Sequence, residues 1–331
     1  HLSGTGIPDL GDFLFIPGTG EMKLEPGTRE NPTKGYRSRY SHEKEWASPN
    51  YYAVELSDYG VKAEMTAGLR SGMFRFTYPK SDKAFIMIDM NHTLWQNCEW
   101  SNLRMENDST LTGYKLVKGW GPERHVYFTA VFSKKLKNLR IMQDKKPVIY
   151  NTSRFRSCYE AWGKNLMACI SFAAEEGEEV IVKTSVSAVS TAGAMLNLQE
   201  LNGMTFDALR EKGVGLWEKE LSKYQIEAKP EVKEAFYTAA YRAALHPFVF
   251  QDADGQFRGL DKNIEKAEGF TNYTVFSLWD TYRALHPWFN LVHQDVNADI
   301  ANSMLAHYDK SVEKMLPIWS FYGNETWCMI G

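Results

Sequence analysis

The chain has 331 residues, 38 basic against 41 acidic side chains, a formal charge of −3 and 44% hydrophobic residues. At roughly 150 residues per domain this length predicts about two domains, each able to bury a core without disulfide or metal staples. The mild acidity and the absence of a Lys/Arg-rich run leave no footprint for a polyanion, so nucleic acid is set aside as a partner. No apolar stretch approaches the roughly 18 residues that a membrane span needs.

The chain opens on His1-Leu2-Ser3-Gly4-Thr5-Gly6 and stops in the apolar run Trp327-Cys328-Met329-Ile330-Gly331. That pattern predicts a piece of a longer polypeptide, cut at both ends. The first 50 residues are rich in Gly, Pro and Ser and read as long loops. From Tyr51 the pattern is β. Tyr51–Leu56 and Val61–Met65 flank a Gly-containing turn, Met73–Tyr78 alternates with period two, and Ala84–Asp89 is a continuous buried-type run. Further strands are expected over 114–117, 126–132, 166–173 and 179–187. Many short strands with no helices between them indicate an antiparallel sandwich.

Near Thr191 the period changes. Apolar positions from Thr205 to Leu221 have helical spacing, with Thr205 as N-cap. Pro230 then opens a second helix whose apolar stripe runs through Val232, Phe236, Ala239, Ala240, Ala243 and Ala244. Two segments, Ala240–Pro247 and Thr281–Pro287, resemble each other with their tyrosines, Tyr241 and Tyr282, 41 residues apart. That spacing suits stacked helix pairs, each stopped by its His-Pro, although chance similarity of Ala-rich helices is an equal alternative.

Cys98, Cys158, Cys169 and Cys328 form no CxxC pair, which argues against a zinc site or a redox dithiol; they fit buried thiols as well as bridges. Asp252-Ala253-Asp254-Gly255 begins like a calcium loop but lacks the remaining ligands, and a polar turn is the better reading. The sequons at Asn91, Asn107, Asn151, Asn272 and Asn324 are too short a motif to carry weight. Aromatic residues make up 14% of the chain. Flat aromatic faces suit a sugar cleft, where the C–H face of a pyranose packs on them and carboxylates take its hydroxyls.

Phe276-Ser277-Leu278-Trp279-Asp280-Thr281-Tyr282-Arg283 concentrates the chemistry. At i and i+3 of a helix, Asp280 and Arg283 can pair. They read either as a salt bridge in a partly buried helix or as hydroxyl-binding groups beside a sugar stacked on Trp279. Glycoside hydrolysis needs two carboxyl groups converging from different elements. Asp295, Asp299, Glu265, Glu268 and Glu325 are candidates, although a solvated helix-face or loop charge is the better reading of each. No HExxH, GxSxG elbow or phosphate-binding glycine loop occurs.

The opening His1–Gly6 with Asp9-Leu10-Gly11-Asp12, the run Tyr273–Pro287, Leu316-Pro317-Ile318-Trp319 and Thr326–Gly331, in that order, resemble glycoside hydrolase family 92. The resemblance runs from the first residue to the last. It implies a two-domain β-then-α fold, an antiparallel β-sandwich followed by part of an (α/α)6 toroid. The expected limits are 1–199 for the sandwich, 200–228 for a helical connector and 229–331 for the first toroid helices. It implies calcium-dependent, exo-acting, inverting release of terminal α-linked mannose from N-glycans or mannan, by a secreted or periplasmic enzyme of the kind found in Bacteroidetes. The Ca2+ would grip the sugar's O2 and O3. Trp279 and Asp280 would line the subsite for the terminal mannose, Arg283 would support Asp280, and Gly4, Thr5 and Gly6 would reach the cleft from the sandwich. The family's acid and base motifs do not occur here and are expected after Gly331, with most calcium ligands. Rival readings are a non-catalytic mannose-binding protein and a different helical-toroid glycosidase or phosphorylase.

Overall fold

A computed structural model describes residues 9–94, 96–149 and 160–325. Its first part is all-β. In chain order the strands are β1 (Leu14–Thr19), β2 (Glu45–Ser48), β3 (Tyr51–Leu56), β4 (Val61–Ala67), β5 (Ser71–Tyr78) and β6 (Ser81–Asp89). There follow β7 (Asn97–Asn107), β8 (Thr110–Lys118), β9 (Arg124–Phe132), β10 (Leu139–Gln143) and β11 (Lys146–Pro147). The last are β12 (Glu160–Gly163), β13 (Leu166–Ala174) and β14 (Glu178–Ser187). They form two antiparallel sheets, one in the order β1-β6-β13-β10-β11 and a nine-stranded one in the order β12-β7-β8-β9-β14-β5-β4-β3-β2.

The inward residues of both sheets share one core. Phe76, Phe85, Ile86, Met87 and Ile88 meet Leu103, Leu111, Phe128, Leu166 and Val182, all at 1% exposure or less. Period-two alternation on β5 and β9 delivers one face of each strand to that core, as expected for a half-buried sheet. The central strand β6 reads as a continuous apolar run because both neighbours and both faces cover it.

The first 50 residues are not all loop. β1 and β2 lie there, and β1 was hidden by Pro17 and Gly18. Both are tolerated because β1 is the edge of its sheet, where a missing N–H costs no ladder bond. Gly18 is required for another reason: a Cβ there would stand 2.3 Å from the Phe85 ring. β7 escaped notice because its register shifts at Cys98/Trp100 and again at Met105/Asn107, which breaks the alternation.

The helical part contains α1 (Thr191–Leu198), α2 (Phe206–Leu221), α3 (Pro230–Ala243), α4 (Leu278–Thr281), α5 (Leu285–Val292) and α6 (Gln294–Lys310). The Thr205 hydroxyl caps α2 by accepting from the Ala208 N–H at 3.2 Å, and Pro230 occupies the first turn of α3. Short strands are interspersed: β15 (Phe248–Val249), β16 (Gln256–Arg258), β17 (Ile264–Lys266), β18 (Tyr273–Thr274), β19 (Phe276–Ser277) and β20 (Trp319–Ser320). Helices α1 and α2 lie against the nine-stranded sheet, α1 over β14 and β9, α2 over β4 and β5.

The two His-Pro segments differ. α3 ends at Ala243, ahead of His246-Pro247. The second is not a stop: His286-Pro287 lies in the first turn of α5, where proline's missing N–H would have had no helical partner. The 41-residue similarity is therefore not a structural repeat.

Candidate functional site at the domain junction

The two parts meet around one buried arginine. Arg124, at the inward-facing start of β9, is 2% exposed and bonds both acids of the opening segment. Its Nη2 stands 3.0 Å from Asp9 Oδ1 and 2.6 Å from Asp12 Oδ1, and its Nη1 2.8 Å from Asp12 Oδ2. Lys115, fully buried on β8, donates to the Asp12 carbonyl at 2.8 Å and to the His92 carbonyl. Burial opposes ionisation of Asp12, but the charge and hydrogen bonds of Arg124 outweigh it and hold the carboxyl below its usual range. Burial pulls the Lys115 ammonium down from its ordinary range, against the opposing charge of Asp12. Arg124 also lies over the rings of Tyr322, 5.5 Å to the centroid, and Phe321, 6.0 Å, so one side chain joins the opening segment to the far end of the described chain.

A second lysine closes the joint from the helical side. Lys262 Nζ donates to the Gly323 carbonyl and to Asn324 Oδ1, both at 2.7 Å, while Asn324 Nδ2 donates to the Glu123 carbonyl at 2.9 Å. Trp120 from the sandwich packs on Trp319, with ring centroids 5.9 Å apart. Lys262, Val275 and Tyr322 all take positive φ here, at 67°, 63° and 49°. For β-branched Val275 this is a costly conformation, held by burial and by its N–H to the Ser320 carbonyl at 3.0 Å.

Val275 leads directly into the segment singled out by the sequence. β19 pairs with β20, placing Ser277 opposite Trp319, and the Leu278 N–H donates to the Ile318 carbonyl at 3.0 Å. The chain then turns outward as α4. Trp279 is 46% exposed, and Asp280 and Arg283 are exposed. The pairing of Asp280 with Arg283 does not form. α4 stops at Thr281 and Tyr282–Ala284 is a turn, so the two side chains do not occupy successive turns of one helix. Among the described residues neither has a hydrogen-bond or ion-pair partner. Gly4, Thr5 and Gly6 lie outside the described residues; Asp9, soon after them, is at the junction.

The other acidic candidates separate clearly. Glu325 is buried and accepts the N–H groups of Ile318 at 2.9 Å and Trp319 at 3.0 Å, a role in holding β20. Asp299 accepts the Thr271 N–H at 3.0 Å and Glu265 pairs with Lys310 at 2.7 Å. Asp295 and Glu268 are exposed. Asp252 is not in an open loop: it accepts from the Ser187 hydroxyl at 2.6 Å and Asn197 Nδ2 at 2.7 Å, fastening the helical part to the end of the sandwich. Among the described residues no three His, Cys, Asp or Glu side chains cluster as a metal site. Cys98 and Cys169 are buried free thiols, Cys169 pushed up to about 12 by burial; Cys158 and Cys328 lie outside the described residues. The sequon asparagines Asn272 and Asn324 are buried, their amides committed to backbone carbonyls.

The arginine clamp was not read from the sequence. Its signal was present: Arg124, Val126, Phe128 and Ala130 alternate on the inward face of β9, and Lys115 occupies the matching face of β8. A charge at an inward position of an otherwise apolar strand requires a buried partner.

An antiparallel sandwich joined to the opening helices of an α/α toroid is the architecture of a class of glycoside hydrolases, and comparison with known proteins specifies which. The chain matches the glycosyl hydrolase family 92 N-terminal domain over residues 1–187 and the catalytic domain of that family over residues 193–331. The chain belongs to glycosyl hydrolase family 92. Among solved structures it is similar to the family GH92 alpha-mannosidase BT3965 from Bacteroides thetaiotaomicron, with 84% identity and a TM-score of 0.97. That match covers 100% of this chain and 45% of that one. The same protein has been solved in complex with mannoimidazole. The family GH92 inverting mannosidase BT2199 of the same species shares the fold at 22% identity and a TM-score of 0.81, over 96% of this chain and 41% of that one. The chain thus spans less than half the length of these structures. No curated protein sequence gives a significant match.

Proposed function

We propose that this chain is part of an exo-acting α-mannosidase that removes terminal α-linked mannose from N-glycans or mannan with inversion and in a calcium-dependent manner. The observation that carries the proposal is the 84% identity over the whole chain to BT3965, an alpha-mannosidase also solved with mannoimidazole. In this reading the exposed Trp279 presents a flat face to the C–H side of the terminal sugar and Asp280 takes its hydroxyls. Arg283 contributes to the same surface without pairing with Asp280. Gly4, Thr5 and Gly6 are assigned to the cleft from the sandwich side. The acid and base are placed outside these 331 residues, so no proton-transfer step is assigned to a residue of this chain.

Among the described residues no three His, Cys, Asp or Glu side chains cluster, and the family resemblance places most calcium ligands after Gly331. Calcium dependence is therefore proposed for the whole polypeptide, and no step of this chain is routed through the ion. A secreted or periplasmic location in a bacterium goes with a polymeric substrate. No described helix is long and apolar enough to cross a membrane.

The test is mannose release from an α-linked mannobiose panel by the complete polypeptide, with calcium and with chelator, followed by proton NMR of the anomer formed. Chelator-sensitive release of the β-anomer is the expected result. Phosphate-dependent cleavage would point to a phosphorylase instead, and tight mannose binding without release to a non-catalytic binder. Asp280→Ala should lose sugar binding while the fold survives; wild-type turnover and KM in that variant would remove Asp280 from the site.

A further inference from the structure

The outer face of the nine-stranded sheet carries an aromatic strip that no described helix covers. α1 and α2 cover this face over β14, β9, β5 and β4. Toward β7 and β12 no described helix packs over it, and two tryptophans stand there, Trp100 at 45% and Trp162 at 54% exposure. The ladder fixes their relation. Trp162 on β12 is opposite Asn102 on β7, and Trp100 lies two residues along β7 on the same face. The two indoles are therefore diagonal neighbours, about 7–8 Å apart at the level of their attachment. Asn102 is in turn opposite Tyr114 on β8, and Tyr114 opposite Tyr127 on β9, the two phenol rings 4.7 Å apart.

The strip is held in shape by its own polar groups. The Trp162 indole N–H donates to Glu160 Oε1 at 3.0 Å, and Asn102 Nδ2 donates to the same oxygen at 3.2 Å and to the Ala161 carbonyl at 3.1 Å. The Tyr114 hydroxyl meets His125 Nδ1 at 2.9 Å, while His125 Nε2 meets Glu123 Oε1 at 2.8 Å. Charges are consumed internally: Arg104 Nη1 stands 3.6 Å from Glu160 Oε2 and its Nε 3.4 Å from Glu106 Oε1. What remains facing solvent is two indole faces beside the partly buried rings of Tyr114 and Tyr127 and the buried Asn102 amide, with three carboxylates, Glu106, Glu123 and Glu160, against the one guanidinium of Arg104. Such a surface fits a neutral polyol with apolar C–H faces and disfavours a polyanion. The strip is also continuous with the domain junction, because Glu123, which ends the Tyr114–His125 chain, gives its carbonyl to Asn324.

We propose that this strip is a second carbohydrate-binding surface, separate from Trp279 and Asp280, which takes hexopyranose units of a mannose-containing oligosaccharide away from the terminal residue. The choice of mannose rests on the mannosidase reading above; the choice of a neutral sugar rests on the strip itself. Binding here would keep a branched or polymeric substrate on the enzyme between successive exo-cleavages.

Affinity electrophoresis of the chain in native gels cast with α-mannan, with dextran and without polysaccharide tests the proposal. Retardation by α-mannan alone is expected. Trp100→Ala/Trp162→Ala should weaken it about ten-fold, with an unchanged circular dichroism spectrum, while Asp280→Ala remains retarded. Three outcomes would overturn the proposal: an unretarded wild type, a tryptophan variant retarded as strongly as wild type, or retardation lost only in Asp280→Ala. Equal retardation by dextran would overturn the assignment to mannose. Failure of the complete polypeptide to release mannose, with tryptophan-dependent retardation intact, would refute the mannosidase reading and leave the second surface standing.

Discussion

The sandwich and the helical part obey the same physics with different degrees of closure. In the sandwich every apolar face of the central strands has a partner in the other sheet, and the core residues of β6, β8 and β9 are almost completely excluded from water. The helical part has apolar stripes of comparable strength but much smaller clusters, Phe276 with Phe289 and Ile300, and Val275 with Trp319 and Phe321. On α3 only Ala240 of the predicted stripe is buried, and Val232 is 54% exposed. An amphipathic pattern states that a face needs covering. It does not state which element covers it, and the two regions show the same pattern at both extremes.

That contrast can be broken by measurement, beginning with the largest effect. Phe128→Ala removes a ring packed 4.5 Å from Phe13 in the fully buried core and should cost about 3–5 kcal/mol of unfolding free energy by chemical denaturation. Arg124→Met should cost a similar amount, about 3–5 kcal/mol, because Asp9 and Asp12 would be left buried beside an apolar side chain. If either variant unfolds at the wild-type denaturant midpoint, the sandwich or its junction is less closed than described here.

A smaller, pH-dependent effect lies where the sandwich meets α2. Arg75 bonds Glu64 at 2.9 Å and both oxygens of Asp207 at 3.1 Å, and lies over the Phe206 ring at 4.3 Å. Burial works against the Glu64 carboxylate, but hydrogen bonds from Arg75 and Tyr51 outweigh it and hold it at about 2, against an ordinary 4.5. A carboxyl with a depressed folded-state pKa stabilises fully above its unfolded value and loses that contribution as pH falls toward the folded one. Denaturation midpoints should therefore decline between about 4.5 and 2, and Glu64→Gln should flatten that decline while lowering stability at neutral pH. An unchanged acid limb in Glu64→Gln would remove this pair from the joint.

The smallest effects belong to the exposed helical surface. Val232→Ala on α3 should shift stability by no more than about 0.5 kcal/mol in this chain, at least about six times less than the core phenylalanine. Trp279→Ala should likewise leave the melting temperature in place, since its ring is half exposed. A large loss in either would mean that these faces are covered in solution.

The sequence by itself determined the order of the two parts, the eight strands with clean alternation or continuous apolar runs, the caps of α2 and α3, and the change of period at Thr191. These are local properties, written within a few residues of one another and independent of what packs on top. It also carried the segment Phe276–Arg283 as a unit of interest. Tertiary structure alone decided the rest. β1 is a strand because it occupies a sheet edge that tolerates Pro17, and β7 because its two register shifts are taken up in the pairing with β8. His286-Pro287 starts a helix rather than ending one, and Asp280 and Arg283 part because α4 is a single turn. Arg124 is more than a hundred residues from Asp9 and Asp12, and the tryptophans of the outer strip are sixty-two apart. Only sheet register and burial bring such residues together, and long-range pairing is the one property that periodicity within a short window cannot encode.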